Sequence, residues 1–221
     1  MKKNIPLILV FCLFFLWAIS SNLLPTMIRQ LMKTCELNTF EASFTESAYW
    51  LAYFLCPIPI AMYLKRYSYK SGIVFGLLLA ALGGLLFFPA SMVKSYGVYL
   101  AVFFVIATGM CFLETAANPY VTALGDPQTA TRRLNLAQSF NGLGAFIAAM
   151  FLSKLVLSGS NFTRDTLPAD YPGGWEGYIQ METDAMKLPY IILAIILIGV
   201  AVVFFETKVT SDLKVATKPY G

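Results

Sequence analysis

The sequence contains no histidine and few charged residues. Among its 221 residues, 13% are charged and 58% are hydrophobic. Without histidine, the commonest metal ligand and the usual general base are both missing. The four cysteines show no metal-site spacing. A soluble domain of this length needs far more surface charge. We therefore expect a membrane protein with no enzymatic activity, no cofactor, no metal and no nucleic-acid partner.

Long apolar runs dominate the chain. A membrane-spanning helix needs ~20 mostly apolar residues. The runs that qualify are 5–27, 48–64, 72–93, 98–121, 134–157 and 188–205. They are too long and too unbroken for barrel strands, so the sequence predicts six transmembrane helices. Pro57 and Pro59 predict a kink in the second run.

The connections between these runs indicate an orientation. Lys65, Arg66 and Lys70 occupy the short second connection. Because Lys and Arg are enriched in cytoplasmic loops, the predicted topology has both termini in the cytoplasm. The longest polar connection, about 158–187, contains Pro168 and Pro172, and we expect irregular structure there, outside the membrane.

Glu114 is the strongest polar group within the predicted spans. A carboxylate near the centre of a membrane helix costs about 2.5–3.5 kcal/mol on insertion scales, so it should face a cavity or a partner. Asn118 lies one turn further along the same face. Pro119 removes a helical hydrogen bond beside it. We interpret Glu114 as a functional residue rather than as a packing contact.

The fifth run begins with a polar stripe. Asn135, Gln138 and Asn141 recur every three residues, and the antiparallel connection would bring Gln138 to a depth similar to that of Glu114. These side chains either line an aqueous pocket with Glu114 or hold packed helices together, which is a frequent use of amides in membranes. For the two asparagines both interpretations stay open.

The first run offers an aromatic and an amide. Trp17 and Asn22 lie ~140° apart on an ideal helix, so they share a face only if the helix bends near Pro25. Sugar sites commonly combine aromatic side chains with amide hydrogen-bonding groups. Trp17 could equally be apolar filling.

Four segments carry a specific resemblance. They are FLETAANPYVTALG at 112–125, RLNLAQSFN at 133–141, LKRYSYKSG at 64–72 and FFLWA at 14–18. Together they closely resemble the fucose permease branch of the major facilitator superfamily, which includes bacterial glucose/galactose transporters. The resemblance extends over essentially the whole chain.

The resemblance implies a proton-coupled symporter of fucose or a related hexose (galactose, glucose), working by alternating access in a bacterial cytoplasmic membrane. It places Glu114 in the central cavity, makes Gln138 a sugar contact, and puts Trp17 and Asn22 at the corresponding first-helix positions. The family pattern has an Asp three residues beyond that Asn, where this chain has Pro25.

The resemblance also concerns length. Such transporters have two six-helix halves, each a 3+3 inverted repeat, with substrate bound between them. We therefore expect residues 1–207 to form an N-terminal half and 208–221 to begin a cytoplasmic linker. The expected partners are a sugar, protons, the lipid bilayer and a C-terminal six-helix half. A non-transporting fragment, or a membrane sugar sensor or scaffold, is the alternative.

Overall fold

The computed structural model describes residues 5–93, 95–152, 162 and 164–207. This part of the chain is all-α. Its α-helices are α1 (Ile5–Thr34), α2 (Thr39–Leu55), α3 (Pro57–Arg66), α4 (Tyr69–Val93), α5 (Tyr96–Ala123), α6 (Ala130–Ile147) and α7 (Gly174–Glu206). A 3₁₀ turn, Pro127–Thr129, precedes α6, and a π-helical turn, Ala148–Leu152, follows it. The predicted linker start, 208–221, lies outside the described residues.

Most described helices suit a bilayer. By length and hydropathy, α1, α4, α5 and α7 can each cross a membrane, and α2 with α3 makes a fifth span if the bent pair is counted as one. The two halves of that pair meet at 41°, as Pro57 and Pro59 predict. Helix α6 does not meet the same criterion, because its first half carries Arg132, Arg133 and the amide stripe. The predicted fifth run, 134–157, continues past Leu152 into residues outside the described part.

Helices α2 and α7 begin well before their apolar runs. Helix α2 starts at Thr39, where Asn38 and Glu41 form a capping box: the Glu41 backbone N–H donates to Asn38 Oδ1 (2.8 Å) and the Asn38 N–H donates to Glu41 Oε2 (2.9 Å). Helix α7 starts at Gly174, directly after Gly173 in the left-handed region (φ 75°). The prediction of irregular structure as far as residue 187 is therefore wrong for 174–187, because Pro168, Pro172 and Gly173 lie before this helix.

Helices α4, α5 and α7 pack closely through small residues. A Cβ added to Gly109 of α5 would lie 2.5 Å from the backbone nitrogen of Ala80 in α4, so glycine is needed for this approach. Phe87 of α4 stacks on Tyr190 of α7, with ring centroids 4.4 Å apart. Close backbone contact through small residues is the usual basis of helix packing in membranes.

The remaining helices complete one bundle. Gly144 brings α6 against α1, since a Cβ there would lie 2.5 Å from the Phe15 carbonyl oxygen. The Tyr96 hydroxyl donates to the Glu41 carbonyl (2.6 Å) and lies 3.0 Å from Thr45 Oγ1. Helices α2 and α5 therefore start at the same end of the bundle and run in the same direction. We call this end, where α1 also connects to α2, the α1–α2 end.

Candidate functional site

A cavity of about 400 Å³ lies among α1, α2, α5 and α6. Four of the residues selected from the sequence line it: Trp17 and Asn22 from α1, Glu114 from α5 and Asn141 from α6. Its volume is within the range of small-molecule sites. Residues distant in sequence therefore share one polar space.

Three further amides selected from the sequence are not among the residues that line this cavity. Gln138 Nε2 donates to Asn118 Oδ1 (3.2 Å), and Asn118 Nδ2 donates to the Glu114 carbonyl oxygen one turn back (3.1 Å). Asn135 is exposed, and its carbonyl accepts from Ser139 Oγ (3.0 Å). The structure thus links Gln138, through Asn118, to the backbone of Glu114, whereas Asn135 is not among the described residues that line the cavity or form these two hydrogen bonds.

The amides of the cavity wall also hold its shape. Asn141 Nδ2 donates to the Phe14 carbonyl oxygen (3.2 Å), which ties α6 to α1. Asn22 Nδ2 donates to the Ala18 carbonyl oxygen (2.8 Å) within α1. Each side chain keeps an amide oxygen with further acceptor capacity.

The indole of Trp17 offers a further donor. Its Nε1 is buried and has no hydrogen-bond partner of normal geometry among the described residues, although the Tyr53 side chain lies near it. The ring packs edge-on against Phe14, with centroids 5.8 Å apart. Because buried polar groups are nearly always paired, a lone N–H beside a cavity suits a ligand that brings an acceptor.

Helix α2 supplies a wall of the cavity that the hydropathy of the sequence does not predict. Glu46, Tyr49, Trp50 and Tyr53 line the cavity, at helical spacings of three and four residues. The Tyr49 and Tyr53 rings stack, with centroids 5.4 Å apart. The predicted second run begins at residue 48, so Glu46 lies outside the predicted span. The capping box at the start of α2 was the readable signal that the helix begins earlier.

The charges of the cavity wall are of one sign. Glu46 and Glu114 both line it, and no Lys or Arg is among the described residues that line it. Trp50 Nε1 donates to Glu46 Oε1 (3.4 Å). Among the described residues, no cluster of His, Cys, Asp or Glu could hold a metal ion. The wall offers two proton acceptors, aromatic faces and amides.

A second polar cluster joins α1 to α7 outside the cavity. Glu182 is fully buried and accepts hydrogen bonds from Gln30 Nε2 and from Lys33 Nζ, the latter at 3.3 Å. Lys33 Nζ also donates to the Tyr178 hydroxyl (3.3 Å). In the sequence, Glu182 falls within the predicted polar connection, and nothing in its local pattern indicates a partner so distant in sequence.

A third cluster lies between the α1–α2 connection and the segment before α7. Glu36, with a left-handed backbone (φ 52°), accepts from Arg164 Nη2 (2.6 Å) and Trp175 Nε1 (2.9 Å). The Arg164 guanidinium lies over the Trp175 ring, 5.6 Å from its centroid. The hydrogen bonds from Arg164 and Trp175 hold the pKa of the Glu36 carboxyl below its usual range.

The family model for the major facilitator superfamily matches residues 7–219. The chain belongs to the major facilitator superfamily. It is 40% identical over 205 residues to an L-fucose-proton symporter of Escherichia coli, covering 92% of this chain and 47% of that protein. It is 37% identical to a glucose/galactose transporter of Brucella abortus, covering 89% of this chain and 44% of the relative.

Solved structures agree with this family assignment. A crystal structure of the E. coli fucose:proton symporter superposes with a TM-score of 0.81 at 39% identity, covering 94% of this chain and 50% of that one. A superfamily transporter in the outward conformation gives a TM-score of 0.80. The chain therefore has the fold of half a superfamily transporter, spans about half the length of the curated relatives it matches, and is a multi-pass membrane protein.

Proposed function

We propose that the chain supplies the N-terminal half of a sugar transporter, with a hexose bound in the cavity among α1, α2, α5 and α6. The observation that carries this proposal is the joining of Trp17, Asn22, Glu114 and Asn141 in one cavity. The similarity to an L-fucose-proton symporter and to glucose/galactose transporters supports a sugar as substrate.

The chemistry of the wall suits a hexose. The aromatic rings of Trp17, Tyr49 and Tyr53 offer faces to the C–H side of a sugar ring, while the Asn22 and Asn141 amides bond its hydroxyls. In transporters of this kind substrate lies between two structural repeats. A C-terminal six-helix half would close the open side of this cavity.

We assign proton coupling to Glu114. An ionisable residue inside a membrane helix is expensive and is normally kept for function. Pro25 stands where the family pattern has a first-helix Asp, so in this chain α1 offers no carboxylate at that position. Coupled transport would then depend on carboxylates elsewhere in the cavity, with Glu114 the first choice.

We also propose a bacterial cytoplasmic membrane location with both termini in the cytoplasm. Arg66 and Lys70 flank the α3–α4 connection, and the segment that begins α6 carries Arg132 and Arg133. Both segments lie at the end of the bundle opposite the α1–α2 end. Positive charge on that side favours placing it in the cytoplasm.

The test is uptake of labelled fucose, galactose and glucose into vesicles. The chain is joined to the C-terminal half of the E. coli symporter and compared with its Glu114→Gln variant. We expect sugar uptake with alkalinisation outside, and loss of proton-driven uptake in the variant. Glu206→Gln, on the exposed last residue of α7, is the matched control.

The same experiment separates the alternative function. Sugar binding without uptake would support a sensor or scaffold and overturn transport. If the joined protein neither binds nor takes up any of the three sugars, the sugar proposal is overturned. Uptake that is unaffected by Glu114→Gln would retain transport but remove Glu114 from the proton path.

A further inference from the structure

Glu46 and Glu114 occupy different depths of one cavity. Cys56 Sγ, just after α2, lies 3.6 Å from Thr108 Oγ1 of α5, and the two helices run in the same direction. Glu46 precedes Cys56 by ten residues and Glu114 follows Thr108 by six. At ~1.5 Å per residue, the two backbones are about 24 Å apart along the helix axes.

This separation gives the two carboxylates different roles. Because of this offset along the helix axes, we expect the Glu46 carboxylate to lie nearer the α1–α2 end of the cavity and the Glu114 carboxylate nearer the opposite end. Glu46 lies seven residues after the start of α2, near the α1–α2 end, and its residue is exposed. It is therefore the carboxylate that meets solvent first from this side.

The described residues that line the cavity with Glu46 carry no positive charge. The other titratable groups that line the cavity are the Glu114 carboxyl on α5 and the Tyr49 and Tyr53 hydroxyls on α2. The lining side chains of α1 and α6 are neutral. Among the described residues that line the cavity there is no Lys or Arg, and the neutral Trp50 N–H donates to Glu46 Oε1 (3.4 Å).

Resting on the proposed function, we propose that Glu46 is the proton-accepting carboxylate at the mouth of the cavity, through which protons from the α1–α2 end reach Glu114. A hydronium ion gives its proton to the Glu46 carboxylate and becomes water. The resulting carboxylic acid then passes a proton through cavity water to the Glu114 carboxylate, so charge is conserved in both steps. Glu46 would thus supply the second acidic residue that α1, with Pro25, does not provide.

The Trp50 contact gives a direct readout of Glu46. The chain has three tryptophans, so Trp17→Phe with Trp175→Phe leaves Trp50 as the sole emitter. We expect its emission to change with pH as the Glu46 carboxyl binds a proton. Glu46→Gln should abolish that step and Glu114→Gln should retain it. A step that survives Glu46→Gln, or no step in the parent protein, would contradict the proposal.

Transport by the joined two-half protein tests the role itself. We expect Glu46→Gln to lose uptake driven by a proton gradient and to retain sugar exchange at equal sugar concentrations, which a merely misfolded variant would lose. Glu41→Gln is the matched control on the same helix, since glutamine also completes a capping box.

The outcomes distinguish the two proposals. Gradient-driven uptake by Glu46→Gln equal to that of the parent would refute the role of Glu46 while sugar transport stands. Loss of both uptake and exchange in this variant alone would show that Glu46 has a structural role, and it would also refute the proposed proton-accepting role. Absence of sugar uptake in every variant, the parent included, would overturn the proposed function and this inference with it.

Discussion

Replacing Glu182 with alanine tests the buried cluster between α1 and α7. The carboxylate is fully buried and accepts from Gln30 and Lys33, whose side chain is only 20% exposed. Removing one partner of a buried ion pair typically costs about 3–5 kcal/mol, because the remaining charge stays desolvated. Folded domains are stable by only about 5–15 kcal/mol. We therefore expect Glu182→Ala to lose a large part of the stability of the helix bundle.

The assay is reversible unfolding in mixed micelles, followed by circular dichroism as denaturing detergent is added. Glu206→Ala is the control, because it removes the same side chain from an exposed position of the same helix; it should change the free energy of unfolding by less than about 0.5 kcal/mol. Glu182→Gln keeps an acceptor and should cost less than alanine. A Glu182→Ala loss below about 1 kcal/mol would show that the cluster does not stabilise the α1–α7 contact.

Two further predictions concern packing and pH. Gly144→Ala should destabilise the α1–α6 contact by about 1–3 kcal/mol, because its Cβ would meet the Phe15 carbonyl oxygen; unchanged unfolding in micelles would contradict this. Because the pKa of the Glu36 carboxyl is lowered, the hydrogen bonds that it accepts from Arg164 and Trp175 should be fully present at any pH above the usual carboxyl pKa. They should be lost as the pH falls through the lowered pKa. The emission of Trp175, isolated by replacing the other tryptophans, should follow that loss, and a Glu36→Gln variant should show no such acid transition.

The carboxylate on α5 could be found from the sequence, because a charge within an apolar run is expensive wherever it lies. The residues Glu46, Tyr49 and Trp50 could not be assigned in the same way. Two are aromatic and match the ordinary composition of a span, and Glu46 precedes the apolar run that marked the second helix. Hydropathy locates the apolar part of a helix, whereas the capping box at Asn38 locates its true beginning.

Contacts between residues far apart in the sequence were the second feature that could not be predicted. The contact of Glu182 with Gln30 joins residues 152 positions apart, and no local pattern specifies it. By contrast, the hydrogen bond from Gln138 to Asn118 spans only 20 residues across one short connection. Because α5 and α6 are antiparallel neighbours in the sequence, a contact between these parts of the two helices could be predicted. The bend after α2 was also predictable, since Pro57 and Pro59 both lack the N–H that a continuous helix requires.

The 41° bend between α2 and α3 converts a small backbone rotation into a larger displacement of the far end of α3. Helix α3 has 10 residues and is therefore ~15 Å long, and at 41° its far end lies about 10 Å from the line that α2 would continue. Each further ten degrees at Cys56 would displace the Arg66 end by about 2.6 Å on the same geometry. A small backbone rotation beside the Tyr53 wall of the cavity is thus multiplied at the opposite end of the bundle.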